Sequence, residues 1–378
     1  MKLLHLSDLH LGKRVNGFSQ IPDQKHILNQ IMSIVNTEHP DAVLIAGDIY
    51  DKSVPSAEAV ELFDGFLTRL SRADTDVFLI SGNHDSAERI AFGGQLLSAA
   101  RVYVSPVYDG TILSVDKADE FGTVRFHLLP FLKPAHVRAW FPDAKIVNYS
   151  DALETALSVC DLNPEDRHVL LTHQLVTGAE RSESEDISIG GSDNVDAQVF
   201  AGFDYVALGH LHRPQNIGTN LRYCGTPLKY SFSEASHEKS VTIVDLGKKG
   251  DVKIDTVPLT PLHDMKRIRG SYMELMDRSY YRNTDLPECY LHITLTDEED
   301  IPDAIGRLRS VYPHLMQLDY DNRRTRQRRN PLEEAVQPES SPLELFGLLY
   351  EKQNNRPMNA EETGYIRTLM EKIWEDCV

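Results

Sequence analysis

Five short motifs of this sequence carry side chains suited to holding a metal, each at the end of an apolar segment. These are Asp8-Leu9-His10, Gly47-Asp48, Gly82-Asn83-His84-Asp85, Thr172-His173 and Gly209-His210-Leu211-His212. Each places an oxygen or imidazole ligand just after an apolar run. Side chains two apart in an extended segment share a face, so Asp8 with His10, and His210 with His212, can converge on one point. Setting His84 aside, the motifs supply Asp8, His10, Asp48, Asn83, His173, His210 and His212 as candidate ligands. Mixed imidazole and carboxylate donors suit Mn²⁺, Fe²⁺ or Zn²⁺. The set is too large for one tetrahedral zinc and fits two ions sharing a bridging carboxylate. Two ions roughly 3.5–4 Å apart can generate a hydroxide nucleophile and stabilise the charge of an in-line phosphoryl displacement.

Each motif alone has a plainer reading. A lone D-x-H is commonplace, Gly47-Asp48 can be a turn or a helix cap, and Gly82-Asn83 tolerates left-handed turn geometry. A histidine closing a strand, such as His173, is usually a satisfied polar residue. What favours chemistry is that all five occur in order, each after an apolar run.

The elements that must position them are legible. Residues 3–7, 42–47, 77–82, 124–129, 169–172, 205–208 and 241–246 are short apolar runs ended by Gly, Asp or His, which predicts buried strands. Between them, residues 23–37 and 57–71 carry Ile27, Ile31, Ile34 and Val60, Phe63, Leu67 at helical spacing, with Pro22 and Pro55-Ser56 as helix starts. Strand–helix–strand order followed by strand-rich sequence predicts an α/β sandwich. Its ligands would stand at the carboxyl ends of its strands, where α/β proteins build sites. A boundary is expected at Pro258–Pro261, followed by a small α+β unit. That unit would have strands near residues 265–269, 290–295 and 315–320, and helices near 272–277 and 301–311.

In this order, D-x-H, GD, GNHD, a strand-end His and GHxH resemble the calcineurin-like metallophosphoesterases over roughly residues 1–255. Within them, Leu6-Ser7-Asp8-Leu9-His10-Leu11-Gly12, Gly47-Asp48-Ile49-Tyr50-Asp51 with Pro55-Ser56, and Gly209 to Gln215 resemble the SbcD and Mre-type nucleases, as does Tyr223-Cys224-Gly225-Thr226-Pro227-Leu228. The resemblance implies a four-layer β-sandwich core flanked by helices, with a small α+β cap and C-terminal helices. It implies a nuclease domain over 1–258, a cap over 262–322, a basic, polar linker over 323–342 and a helical partner-binding segment over 343–378. It also implies that Asp8, His10, Asp48 and His212 bind one ion and Asp48, Asn83, His173 and His210 the other, both most simply Mn²⁺. His84 would be no ligand but would donate a proton to the leaving oxygen or stabilise charge on the phosphate, with Asp85 orienting its ring. Asp51 stands where some relatives carry a His near the DNA end, which leaves the handling of DNA ends open.

The reaction implied is phosphodiester hydrolysis in DNA, at ends and hairpins, by a subunit that partners an SbcC-type coiled-coil ATPase and forms a homodimer within the complex. Two rivals stand beside it: a metallophosphoesterase of small phosphodiesters or nucleotides, and a non-catalytic scaffold for the ATPase. The small-substrate enzyme leaves the cap and C-terminal helices without a role. The scaffold has no need of a full ligand set.

The remaining sequence bounds these readings. A net charge of −18, from 39 basic and 57 acidic residues, opposes phosphate contact. Metal, local positive charge or a partner must then supply the attraction. Lys13, Arg14 and Arg213 flank ligand motifs and can touch phosphate. The run Arg323-Arg324 to Arg328-Arg329 reads as a solvated linker or a DNA contact. Cys160, Cys224, Cys289 and Cys377 show no CxxC spacing, which fits a reducing cytoplasm. No apolar run approaches the roughly 18 residues of a membrane span, and the N-terminus reads as a first strand rather than a signal peptide. Leu343, Leu345, Phe346, Leu348 and Leu349, then Ile366, Leu369, Met370, Ile373 and Trp374, make apolar helical faces that either complete the fold or dock a partner helix.

Overall fold

The computed structural model describes residues 1–180, 193–323, 325, 341–354 and 356–376. Two six-stranded sheets form its centre. In the first, strands Lys2–Leu6, Ala42–Ala46, Asp76–Ile80 and Val102–Val104 run parallel, Ser240–Leu246 lies antiparallel beside Lys2–Leu6, and Val252–Pro258 lies antiparallel beside Ser240–Leu246 at the edge. In the second, Gly122–Leu128, Arg167–His173, Tyr205–Gly209 and Leu221–Tyr223 run parallel, with antiparallel edges at Leu113–Asp119 and Gln215–Ile217.

Alternation along the strands decides how the sheets pack. Leu3, Leu44, Phe78 and Val244 from one sheet meet Val124, Phe126, Val169, Leu171 and Tyr205 from the other in a dry layer. Phe78 stacks on Phe126 across it at 4.2 Å and 11°. The residues between, such as Leu4, Val43, Ile45 and Leu79, turn the other way onto helices Ile21–Glu38 and Ala57–Ser71 through Ile27, Ile31, Val35, Phe63 and Phe66. On the far face of the second sheet, Leu170, Val206 and Leu208 cover helix Tyr149–Leu157 through Tyr149, Leu153 and Ala156. The result is helix, sheet, sheet and helix, the four-layer α/β sandwich.

Each of the seven strand segments anticipated in the core coincides with a strand here. The strands of these two sheets that were not anticipated are at their edges or next to them: Val102–Val104, Leu113–Asp119, Gln215–Ile217, Leu221–Tyr223 and Val252–Pro258. Leu113–Asp119 and Val252–Pro258 alternate half-buried with exposed residues and carry Asp and Lys. Helix Ile21–Glu38 begins two residues earlier than anticipated, with Pro22 in its first turn. Ser56 caps Ala57–Ser71 by accepting from the Ala59 N–H at 3.3 Å.

Beyond the sandwich, strands Met265–Gly270, Tyr290–Leu295 and Leu315–Tyr320 make a parallel three-stranded sheet. It has its own apolar cluster around Leu275, Leu291, Ile293, Leu308 and Tyr312. The helices paired with it are short, Tyr272–Leu275 and Ala304–Arg309. Asp23 on the first core helix ties this sheet down, accepting from Tyr290 Oη at 2.8 Å and from the His263 N–H at 2.9 Å. Helices Pro342–Asn354 and Ala360–Asp376 pair through Glu362, which meets Tyr350 Oη and Arg356. None of their described residues enters the buried apolar clusters. Of the arginines of the basic run, Arg323 alone lies among the described residues, and residues 331–340 lie outside them. No helix among the described residues is long and apolar enough to cross a membrane.

Candidate metal centre

The five motifs converge where the parallel strands of both sheets end. The loops after Lys2–Leu6 and Ala42–Ala46 are laced together: Asp8 N–H donates to Gly47 O, His10 N–H to Asp48 O, and Leu11 N–H to Ile49 O, at 2.9 to 3.0 Å. Such lacing holds backbone in a form few residues adopt freely. Asp8, His10, Asp48 and His210 have φ of 53°, 44°, 50° and 101°. Non-glycine residues held there cost about 1–3 kcal/mol each and persist where surrounding structure over-determines them, characteristically at functional sites.

Each central carboxylate is aimed by a backbone N–H of another motif. Asp8 Oδ1 accepts from His210 N–H at 3.0 Å, and Asp48 Oδ1 accepts from His84 N–H at 2.9 Å. The glycines ahead of these motifs exist for the close approach. A Cβ on Gly82 would strike the Asp48 carboxylate, and one on Gly209 would strike the Ala46 carbonyl and lie 2.6 Å from His173 Nδ1.

Ligand atoms of Asp8, His10 and His212 lie within 4.8 Å of one another, as do those of Asp8, Asp48 and His173. His10 and His212 rings sit 5.2 Å apart, and His173 and His210 rings 5.3 Å apart. Asn83 Oδ1 lies 3.0 Å from both His173 Nε2 and His210 Nδ1. All seven candidate ligands are therefore brought together in two adjoining groups, with Asp48 Oδ2 between His173 Nε2 at 3.4 Å and His10 Nε2 at 3.7 Å.

The arrangement fits bound cations. Both ring nitrogens of His10 are buried and have no hydrogen-bond partner among the described residues, a costly state that a cation on the lone-pair nitrogen of the neutral ring would partly relieve. His173 Nδ1 lies 2.8 Å from the Ala46 carbonyl, so it donates there and leaves Nε2 facing two oxygens. Burial disfavours charge on His173, but Asp48 beside it prevails and pushes the imidazole up to about 9. Its proton stands where positive charge is wanted. Burial likewise raises the Asp8 carboxyl, and His10 is held well below its ordinary value, chiefly by desolvation. Desolvation opposes ionisation of Asp48 too, yet the surrounding imidazoles, His173 first, hold it well below the usual carboxylate range.

His84 stands at the rim, 29% exposed, with Nε2 4.0 Å from Asp48 Oδ2, so its ring reaches the cluster without being enclosed by it. The expectation that Asp85 orients this ring requires correction. The Asp85 carboxylate accepts from the N–H groups of Ile49, Tyr50 and Gly82 at 2.9 to 3.1 Å, while His84 Nδ1 lies 3.2 Å from the Asp51 carbonyl. Asp85 therefore ties the GNHD turn to the Gly47-Asp48 loop. Burial, with Asp48 adding to it, pushes its carboxyl up to about 6.

A surrounding layer went unread in the sequence. Glu234 Oε1 meets His212 Nδ1, and Glu234 Oε2 takes Lys239 Nζ at 2.5 Å. Gln24 Nε2 donates to the His10 carbonyl at 2.7 Å, and Tyr230 Oη to the Leu9 carbonyl at 2.6 Å. Of the flanking cations, Lys13 pairs with Asp51 at 2.6 Å, and Arg213 pairs with Glu180.

Comparison with known proteins finds relatives for both parts of the chain. The calcineurin-like phosphoesterase family matches residues 1–214, and the Type 5 capsule protein repressor C-terminal domain (SbcD_C) matches residues 261–354. The chain is 34% identical over 324 residues to a protein of Staphylococcus epidermidis named as the SbcD subunit of the nuclease SbcCD, covering 84% of this chain and 85% of that one. It is 32% identical over 323 residues to the Staphylococcus saprophyticus protein of the same name, covering 84% of each. A crystal structure of a dimetal phosphatase from Danio rerio aligns over 68% of this chain and 95% of its own, at 12% identity and a TM-score of 0.39.

Proposed function

The chain belongs to the calcineurin-like phosphoesterase family, and from that premise we propose that it is the SbcD-like nuclease subunit of an ATP-dependent SbcC–SbcD complex, cutting phosphodiester bonds of DNA ends and hairpins in recombination and repair. The observation that carries the reading is the convergence of Asp8, His10, Asp48, Asn83, His173, His210 and His212 at one strand-end cluster. It sits in a chain whose curated relatives are named as nuclease subunits.

In this reading Asp8, His10, Asp48 and His212 hold one divalent ion and Asp48, Asn83, His173 and His210 the other. The mixed nitrogen and oxygen donors support Mn²⁺. When bound, the pair supplies Lewis acidity and a nucleophile available at neutral pH. The chain does the rest. Asp8 and Asp48 are held in one orientation by the His210 and His84 N–H groups. His84, at the open rim, donates a proton from Nε2 to the departing sugar oxygen while the Asp51 carbonyl fixes its Nδ1. Asp85 acts as a positioning residue for the turn that carries Asn83 and His84.

The same reading divides the chain at 1–258, 262–322, 323–342 and 343–378. The last segment docks the SbcC coiled coil, supported by helices that stand outside the buried clusters and expose Leu345, Leu349 and Leu369. Phe92 and Leu96, 85% and 82% exposed, give an apolar surface that a second copy would cover in a homodimer. A cytoplasmic location belongs to it as well, supported by the free thiols of Cys160, Cys224 and Cys289. The metals and the ATPase supply the attraction to DNA that the acidic net charge opposes.

Incubating the purified chain with end-labelled duplex and single-stranded DNA in Mn²⁺, Mg²⁺ or chelator tests this function. Metal-dependent shortening of the labelled strand is the expected result. Turnover of small phosphodiesters with intact DNA would favour the small-substrate reading.

A further inference from the structure

A cleft of about 1160 Å³ opens beside the metal cluster, with Asn83, His84 and His210 on one side. It exceeds the roughly 300–1,000 Å³ typical of small-molecule pockets, which suits a segment of polymer. Phe131 forms the wall nearest the ligands, its ring 6.2 Å from that of His173 and nearly perpendicular to it. Trp140 forms an outer wall. Its side chain rests on Gly110, where an added Cβ would lie 3.0 to 3.5 Å from Trp140 Cβ, Cγ and Cδ2. Trp140 nevertheless stays 55% exposed. A large aromatic that is backed by protein and open to the cleft is a stacking surface.

Two polar atoms lining the same cleft are unexplained by the fold. Tyr108 Oη and Gln174 Oε1 are buried without a hydrogen-bond partner among the described residues. Gln174 is 1% exposed, and its amide is fixed because Nε2 donates to the Leu132 carbonyl at 3.1 Å. Leaving such groups unpaired costs about as much as a lost buried hydrogen bond, so they await a ligand. Both residues line the cleft that also carries Asn83, His84 and His210. A fixed acceptor and a hydroxyl that turns to give or take a proton, both in one cleft, suit the donor and acceptor that every nucleobase carries on its pairing edge.

We propose that this cleft receives one unstacked nucleobase of the strand being cut, stacked against Trp140 and Phe131 and hydrogen-bonded by Gln174 and Tyr108. The inference rests on the nuclease reading and deepens it. The substrate is a nucleotide splayed out of its helix, and the pocket accepts any base but needs one. Cutting would thus favour frayed ends, single strands and hairpin loops, where unstacking is cheap.

The test gives the full chain, with Mn²⁺, labelled single-stranded oligonucleotides in which one abasic residue is walked through the sequence. At one register relative to the cut phosphate, the abasic residue is expected to lower kcat/KM roughly ten- to hundredfold. Trp140→Ala is expected to slow the intact strand by a similar factor and that abasic strand hardly at all. Trp140→Phe restores most of the loss, and metal-free affinity, read by fluorescence anisotropy, moves in parallel. Finding no register at which the base matters, or equal Trp140→Ala penalties on intact and abasic strands, overturns the base pocket and leaves the nuclease reading standing. Hydrolysis of bis(p-nitrophenyl) phosphate with no cutting of any oligonucleotide overturns both.

Discussion

Glu234 Oε1 lies 3.1 Å from His212 Nδ1, with the carboxylate fully buried and its other oxygen held by Lys239. Burial alone would raise this carboxyl, but the Lys239 ammonium overrides it and holds the group well below the usual range. An ionised Glu234 keeps the proton of His212 on Nδ1 and presents Nε2 to the metal cluster, the carboxylate–histidine arrangement that sets ligand tautomer and basicity.

Glu234→Gln removes that charge with little change in shape. Mn²⁺ affinity of the site served by His212 should fall about 10–100-fold, read by isothermal titration calorimetry. Unchanged affinity would mean that Glu234 only neutralises Lys239.

His84→Ala should lower DNA cleavage by roughly 10²–10⁴-fold, the usual worth of a positioned general acid. Both metals should remain bound, because the ring stands at the rim. Loss of about one ion per chain in elemental analysis would instead make His84 a ligand, a role its 4.0 Å approach to Asp48 allows.

The candidate ligands were legible because each of their motifs follows an apolar strand, so hydropathy and residue type mark the same place. Glu234 carried no such mark. It lies in a 3-10 turn, Phe232–Glu234, far along the chain from His212, and its burial depends on Lys239, which no local pattern announces. Asp85 differs for another reason. The family resemblance implied that it orients the His84 ring, whereas its carboxylate folds back onto backbone N–H groups of the neighbouring loop. The central strands were readable and the edge strands were not, because residues 113–119 alternate half-buried and exposed positions as a polar loop does.

Asp119 offers a test of the fold. It joins the N-terminal ammonium of the first sheet to the buried Arg167 of the second, at 2.9 and 3.0 Å. Its hydrogen bond to Arg167 holds its carboxyl well below the ordinary value. A depressed folded value means the stabilisation is complete above the unfolded pKa of about 3.9 and is lost as pH falls through the folded one. Asp119→Asn should cost about 1.5–3 kcal/mol near pH 7, the worth of a hydrogen bond to a charged group, since Arg167 keeps the Gly122 and Gly247 carbonyls. In denaturation across pH, the gap between wild type and variant should hold down to about pH 5 and shrink below pH 4. A gap as wide at pH 3 as at pH 7 would contradict the assignment.

Deleting residues from Pro342 onward should leave hydrolysis of a small phosphodiester unchanged, since every proposed ligand precedes residue 213. Binding to an SbcC-type coiled coil, and ATP-dependent cutting of long duplex with it, should be lost. The apolar helix faces left uncovered without a partner would each forgo about 25 cal/mol per Å². An insoluble truncated chain, or one without a cooperative thermal transition, would show that these helices complete the fold.

The central claim is a two-ion centre bridged by Asp48, and metal stoichiometry reads it most directly. Elemental analysis of the purified chain saturated with Mn²⁺ should give about two ions per chain. His212→Ala should retain about one, and Asp48→Asn should retain fewer than His212→Ala, with DNA cleavage lost in both. Equal metal loss in the two variants would contradict the bridge, and a single ion in the wild type would contradict the two-ion centre itself.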